Sequence, residues 1–145
     1  MWKIDTERGD LFDVNMMITM GVKASGSFSE KRVVDAFNKA VKSYEILNTK
    51  VLIDNEGHAF YERNNENNNK VFFTSTFLKR LINEQEKKRF HIEDGEYLRL
   101  FVSIEKDESS FIFMLHHLGG DGKSLLYFIE TIIYFRKITN FHSRS

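Results

Sequence analysis

The heptapeptide His116-His117-Leu118-Gly119-Gly120-Asp121-Gly122 holds the residues of this chain that are best suited to chemistry. An imidazole with an ordinary pKa of about 6.5 exchanges protons at neutral pH and therefore suits a general base. Two successive glycines allow a tight turn of the backbone, because they have no Cβ atom to clash. The heptapeptide therefore predicts two adjacent histidines followed by a tight turn.

The elements on either side of the heptapeptide predict different tasks for its two histidines. Alternating apolar residues predict a strand over residues 110–117, and helical spacing predicts a helix over residues 123–136. Successive side chains of a strand point to opposite faces. We therefore expect His117 to face a groove or solvent and His116 to pack behind it. Asp121 is placed to cap the helix N-terminus, where Gly122 allows close backbone approach.

Three other kinds of site fit these residues less well. Adjacent histidines on a strand diverge, whereas tetrahedral zinc needs about three or four convergent ligands, so no metal is expected. Gly122-Lys123-Ser124 imitates the end of a phosphate-binding loop, but His117 stands where that loop needs its first glycine. Ser124 lacks the Gly-x-Ser-x-Gly context of a hydrolase nucleophile.

A plainer interpretation of His117 stays open, namely a core histidine that is simply satisfied within a hairpin. The histidines outside the motif, His58, His91 and His142, have no neighbours that point to chemistry, and we expect them to be ordinary.

The remaining elements predict an α+β fold. Alternation over residues 14–22 predicts a strand, Ser29 is a candidate N-cap, and residues 33–44 have helical spacing. Short strands are predicted at residues 50–53, 58–62 and 71–73, a mobile loop at 64–69, a helix at 77–89 and a strand at 97–105. We expect a two-layer sandwich, with a mixed, mostly antiparallel sheet packed by the helices at 33–44 and 123–136. The last helix is apolar nearly all round, which predicts a missing second domain, an oligomer or an incompletely folded product. The plainer alternative is that Tyr127, Tyr134 and Phe135 are simply exposed.

Composition excludes several classes of partner. The chain has 145 residues, 21 basic and 21 acidic side chains and no cysteine. It therefore has no basic footprint for nucleic acid and no disulfide or thiolate chemistry. No run of about 18 apolar residues predicts a membrane span, and the first residues do not resemble a signal peptide. We expect a cytoplasmic protein with no nucleic-acid or membrane partner.

His-His-x-x-x-Asp-Gly is the motif shared by nonribosomal-peptide condensation domains, chloramphenicol acetyltransferases and related CoA-dependent acyltransferases. This chain resembles that superfamily beyond the motif as well. Residues 29–44 resemble the first helix of the family, and residues 45–51 resemble the segment that follows it. Residues 89–92 and 95–100 resemble the family's "pFdl…gPlLR" stretch. The ordered similarity runs from about Val14 to Phe135.

The resemblance implies an acyltransferase with His117 as the active-site base. The base acts on a hydroxyl or amine that attacks an acyl thioester carried by CoA or by a phosphopantetheine arm, and no cofactor is bound permanently. The resemblance also implies that His116, Asp121, Gly122 and Arg99 support the motif, with Asp121 paired to Arg99 and Gly122 leaving space near the substrate.

The superfamily's members are more than twice as long as this chain, and their active site lies between two similar halves. The resemblance therefore implies that residues 1–145 form a single domain equivalent to the N-terminal half, without the half that carries Asp-Phe-Gly-Trp-Gly. Its expected partners are a small-molecule acceptor, an acyl thioester, and either a complementary C-terminal half or a second copy. The alternative is a catalytically inactive half-domain or a subunit that depends on a partner.

Overall fold

The computed structural model describes residues 2–4, 17–26, 28–75, 78–136 and 141–144. Within these ranges the chain forms eight strands, three α-helices and three short 3-10 turns. The strands are β1 (Trp2–Ile4), β2 (Met17–Ser25), β3 (Thr49–Ile53), β4 (Ala59–Arg63), β5 (Lys70–Phe73), β6 (Leu98–Ile104), β7 (Glu108–His116) and β8 (Phe141–Arg144). The helices are α1 (Glu30–Ser43), α2 (Leu78–Gln85) and α3 (Gly122–Arg136).

The larger sheet places the motif at the end of an inner strand. Its order is β5-β6-β7-β2-β8, and all neighbours are antiparallel except β5 and β6. His116, the last residue of β7, lies opposite Met17 of β2, and its main-chain N–H donates to the carbonyl of Tyr97 just before β6. The expected mixed, mostly antiparallel sheet is therefore confirmed.

Two helices cover one face of this sheet. Ser29 caps α1 by accepting a hydrogen bond from the N–H of Arg32, as predicted. The Phe128 ring of α3 packs edge-on against Phe37 of α1 and Phe113 of β7, at centroid distances of 5.8 and 6.3 Å. Large aromatic side chains bury the most apolar area per residue, so contacts of this kind hold the layers together. This confirms the expected two-layer packing.

A separate three-stranded sheet, in the order β1-β4-β3, was not expected. The sequence predicts the β3–β4 hairpin, and the structure adds β1 along the other side of β4. We call this the small sheet. Its strand β4 carries Tyr61 toward the motif, which makes the small sheet relevant to the site.

The polar run at residues 64–69, for which the sequence predicts a mobile loop, ends in a buried and hydrogen-bonded residue. Asn69 is buried, and its side-chain oxygen accepts hydrogen bonds from the main-chain N–H groups of Tyr97 and Leu98. Its side-chain amide donates to the carbonyl of Leu47. An asparagine can hydrogen-bond several buried backbone groups at once, so Asn69 stabilises the start of β6.

Other boundaries differ from those predicted. The helix expected over residues 77–89 ends at Gln85, because the charged residues after it form turns. Strands β1 and β8 were not predicted, and the expected strand positions 14–16 lie outside the described residues.

Helix α3 is only partly covered in this structure. Leu125, Phe128, Ile129 and Ile132 are buried, whereas Leu126 and Tyr127 are exposed by 44% and 52%. The face of the helix that carries Leu126 and Tyr127 is therefore open to contact. No helix among the described residues is both long and apolar enough to cross a membrane.

Candidate active site

The two histidines at the end of β7 differ sharply in burial. His116 is 2% exposed, whereas His117 is an exposed residue. The expected burial of His116 and exposure of His117 are confirmed, although the strand ends at His116 and His117 opens the 3-10 turn His117–Gly119. The change from strand to turn thus begins one residue earlier than the sequence predicts.

His116 takes part in the turn that carries its neighbour. Its Nδ1 atom accepts a hydrogen bond from the main-chain N–H of Leu118 at 3.0 Å. The imidazole packs edge-on against the Phe90 ring at a centroid distance of 5.9 Å. The guanidinium of Arg99 lies over the Phe90 ring, 4.1 Å from its centroid. A series of contacts from Arg99 through Phe90 to His116 therefore lies behind the motif on its buried side.

Arg99 does not pair with Asp121, and that expectation is wrong. Its Nη2 and Nε atoms donate to the carboxylate of Glu96 at 3.0 and 3.1 Å. The same guanidinium donates to the main-chain carbonyls of Lys88 and Arg89. Arg99 is 5% exposed, so these four hydrogen bonds compensate for the burial of its charge.

Asp121 instead caps helix α3, as the sequence predicts. Its Oδ1 atom accepts from the N–H and from the hydroxyl of Ser124 at 2.8 and 2.9 Å, and its carbonyl accepts from the N–H of Leu125. These hydrogen bonds from Ser124 lower the pKa of the Asp121 carboxyl. Because the capping bonds occupy this oxygen, Asp121 helps to fix the helix start, and it supports the motif in this way rather than through Arg99.

The three glycines of the motif meet different surroundings. A Cβ atom on Gly119 would lie 2.7 Å from Cβ of Tyr97, and one on Gly120 would lie 2.8 Å from Cβ of Ser124. Gly120 also has a φ of +147°, which side chains rarely adopt. A Cβ atom on Gly122 would meet nothing within 4 Å. The turn therefore needs glycine at 119 and 120, while Gly122 borders open space.

The small sheet reaches the turn through Tyr61, a contact that sequence reasoning missed. The Tyr61 hydroxyl donates to the carbonyl of Leu118 at 2.7 Å. Its ring lies 6.5 Å from the ring of Tyr97, and the Tyr97 hydroxyl is 2.9 Å from that of Thr49. Burial raises the pKa of both tyrosines. The alternation in β4 could have predicted the face on which Tyr61 lies, but nothing in the sequence identifies its acceptor.

One group of possible metal ligands occurs among the described residues. Ligand atoms of His91, Glu93 and Asp94 lie within 4.8 Å of one another. The carboxylate of Glu93 already accepts two hydrogen bonds from Arg89, each 2.9 Å long. Neither motif histidine takes part in this group.

Comparison with known proteins identifies the fold. No protein-family model and no curated protein matches the sequence. Solved structures do match. The condensation domain of the monacolin K polyketide synthase MokA has a TM-score of 0.73 and 20% identity, and the match covers 90% of this chain and 32% of that one.

Two further structures give the same result. The starter condensation domain of the rhizomide synthetase RzmA has a TM-score of 0.74 and 9% identity, with 86% of this chain and 32% of that one covered. The first condensation domain of the CDA synthetase has a TM-score of 0.71 and 13% identity, with 88% and 36% covered. This chain therefore has the fold of condensation domains, and it spans about a third of the length of the structures it matches.

Proposed function

We propose that this chain is the base-carrying part of an acyltransferase and that His117 is its general base. In the proposed reaction the imidazole of His117 takes a proton from an acceptor hydroxyl or amine, which attacks the carbonyl carbon of an acyl thioester. A new C–O or C–N bond forms and the C–S bond breaks. The proton then passes from His117 to the departing sulfur, so that the histidine is neutral again.

The observation that carries this proposal is the position of His117 in a fixed turn. Its side chain is exposed, while both main-chain groups of the next residue, Leu118, are hydrogen-bonded. A base works best when it is held at hydrogen-bonding distance from the proton it removes. A core histidine that is satisfied by protein partners would be buried, and His116 fits that description far better than His117.

The acyl donor in this proposal is a CoA thioester or a thioester on a phosphopantetheine arm, and the acceptor is a small molecule. Open space at Gly122 supports the expectation that a substrate approaches there. The cytoplasmic location expected from the composition stays a prediction, as does the absence of nucleic-acid and membrane partners.

A second lobe belongs to the proposal. His117 is exposed in the part of the chain that the structure describes, and the chain spans about a third of the condensation-domain structures that it matches. The exposed side chains Leu126 and Tyr127 provide an apolar surface on α3 for such a lobe or for a second copy. The second candidate function is non-catalytic, namely a half-domain or subunit that only binds its partner.

The test is acyl transfer from acetyl-CoA and longer acyl-CoA donors to a panel of amines and alcohols, with and without an added C-terminal half of the condensation fold. Release of free thiol reports the reaction, and light scattering reports the mass of the complex. A complex that forms without any thiol release would favour the non-catalytic candidate.

A further inference from the structure

We propose that Tyr61 is a positioning residue for His117, and that its hydroxyl makes the small sheet part of the apparatus that holds the base. The proposal rests on the proposed function only for the chemical role of His117. The structural claim is that the orientation of the His117 imidazole depends on the hydrogen bond that Tyr61 donates to the main-chain carbonyl of Leu118, the residue after His117.

The peptide groups that follow His117 are held from two sides. The N–H of Leu118 donates to Nδ1 of His116, and the C=O of Leu118 accepts from the hydroxyl of Tyr61 at 2.7 Å. The first partner belongs to the larger sheet and the second to the small sheet. Leu118 is itself buried, so a main-chain group left without a partner there would lose free energy.

The phenol oxygen of Tyr61 is placed by its surroundings. The Tyr61 ring lies against the ring of Tyr97. The Cβ atom of Tyr97 is so close to Gly119 that no larger residue fits at position 119. Tyr61 pairs with Val51 of β3 in the middle of the small sheet, which fixes its backbone. Burial raises the pKa of Tyr61, so the hydroxyl keeps its proton and remains a donor throughout the neutral range.

Removal of the Tyr61 hydroxyl should therefore destabilise the turn without creating a cavity in the core. In Tyr61→Phe the ring and its packing remain, while the carbonyl of Leu118 loses its donor. A net hydrogen bond of ordinary strength corresponds to roughly a fivefold to tenfold change in the equilibrium between the closed and open turn. The imidazole of His117 would then sample a wider range of orientations.

The experiment compares Tyr61→Phe with Tyr44→Phe in the whole chain by NMR. Tyr44 is a matched control, because its hydroxyl also makes a partly buried hydrogen bond, at 3.0 Å to Thr131, but not to the motif. We expect Tyr61→Phe to shift or broaden the ring signals of His117 and to speed amide exchange of Leu118 about fivefold to tenfold. Tyr44→Phe should leave both unchanged.

A rescue variant separates the lost donor from any general loss of stability. Replacement of Tyr61 by 4-aminophenylalanine restores an N–H donor at the same place and should return the His117 signals toward those of the wild type. Unchanged His117 signals in a folded Tyr61→Phe protein, or equal effects of Tyr61→Phe and Tyr44→Phe, would overturn the proposal. Neither readout needs a substrate, so a failure of the acyltransferase assignment would be recognised separately.

Discussion

Nδ1 of His116 accepts a hydrogen bond from the main-chain N–H of Leu118, two residues further along the chain. An imidazole nitrogen can accept only through an unprotonated lone pair. The motif turn therefore depends on the protonation state of His116, although His117 is the residue proposed to exchange protons with the substrate.

This relationship predicts the tautomer of His116. We expect a neutral ring with its proton on Nε2, because Nδ1 is engaged as an acceptor. Long-range ¹H–¹⁵N correlation spectra of the imidazole at neutral pH distinguish the two nitrogens. A spectrum with the proton on Nδ1 would contradict the described hydrogen bond. Protonation of both nitrogens at neutral pH would contradict it equally.

Arg99 and Asp121 should respond very differently to truncation. Arg99→Ala leaves Glu96 and two main-chain carbonyls without their buried donor, and we expect it to lower the free energy of unfolding by about 3–5 kcal/mol. Asp121→Ala removes an exposed helix cap and should lower the free energy of unfolding by much less. Urea denaturation of both variants measures the difference. Equal losses would revive a direct Arg99–Asp121 pair.

The motif glycines should differ in their tolerance of a methyl group. Gly119→Ala forces the new Cβ atom into Tyr97 and Leu115, at 2.7 and 2.9 Å from their nearest atoms. We expect a loss of about 1–3 kcal/mol in the free energy of unfolding, typical of an overpacked core. Gly122→Ala is the matched control and should melt at or slightly above the wild-type temperature, since alanine favours helices. A tolerated Gly119→Ala would show that the turn is looser than described.

The carboxyl group of Asp121 should titrate below its ordinary pKa of 3.8, because it accepts hydrogen bonds from the N–H and hydroxyl of Ser124. A folded pKa below the unfolded one means that this stabilisation is fully present above about pH 4 and is lost as the pH falls through the folded pKa. NMR titration of the Asp121 carboxyl carbon gives the midpoint directly. In Ser124→Ala the hydroxyl donor is gone, and the midpoint should rise toward 3.8. A wild-type midpoint above 3.8 would contradict the capping geometry.

The order of the elements from β2 to α3 and the difference in burial between the motif histidines could be predicted from local patterns in the sequence, whereas β1 and β8 could not. Alternation in β7 places Phe113 and His116 on opposite faces. Helix α3 is apolar nearly all round, so its spacing does not single out Phe128, and the contact of Phe128 with Phe113 is known from the structure alone. The capping role of Asp121 is local too, since it spans three residues. Patterns of this range are visible in one sequence.

The partners of Arg99 and the ordering of Asn69 could not be predicted, because the first depend on the irregular path of the loop before β6 and the second on a contact between distant segments. Arg99 chooses Glu96 and two carbonyls of the preceding loop, and the periodicity of β6 contains no information about that loop. Asn69 lies in a run that has the polar composition of a solvent-exposed loop, yet its side-chain oxygen accepts hydrogen bonds from the backbone at the start of β6. Only the tertiary structure distinguishes a polar side chain that is exposed to water from one that hydrogen-bonds buried backbone groups.

The central claim is that His117 is the base of an acyl transfer, and one comparison tests it most directly. The rate of thiol release from acyl-CoA is measured for the wild-type chain, His117→Ala and His58→Ala, each mixed with the same C-terminal half of the condensation fold and the same acceptors. His58 is the matched control, because it is an exposed histidine in the turn between β3 and β4.

The account predicts turnover by the wild-type mixture, a loss of about 100-fold or more in His117→Ala, and an unchanged rate in His58→Ala. The account also predicts that the wild-type chain alone releases little or no thiol, because the proposed site needs a second lobe to hold the substrates. A His117→Ala mixture that releases thiol at the wild-type rate would contradict the account.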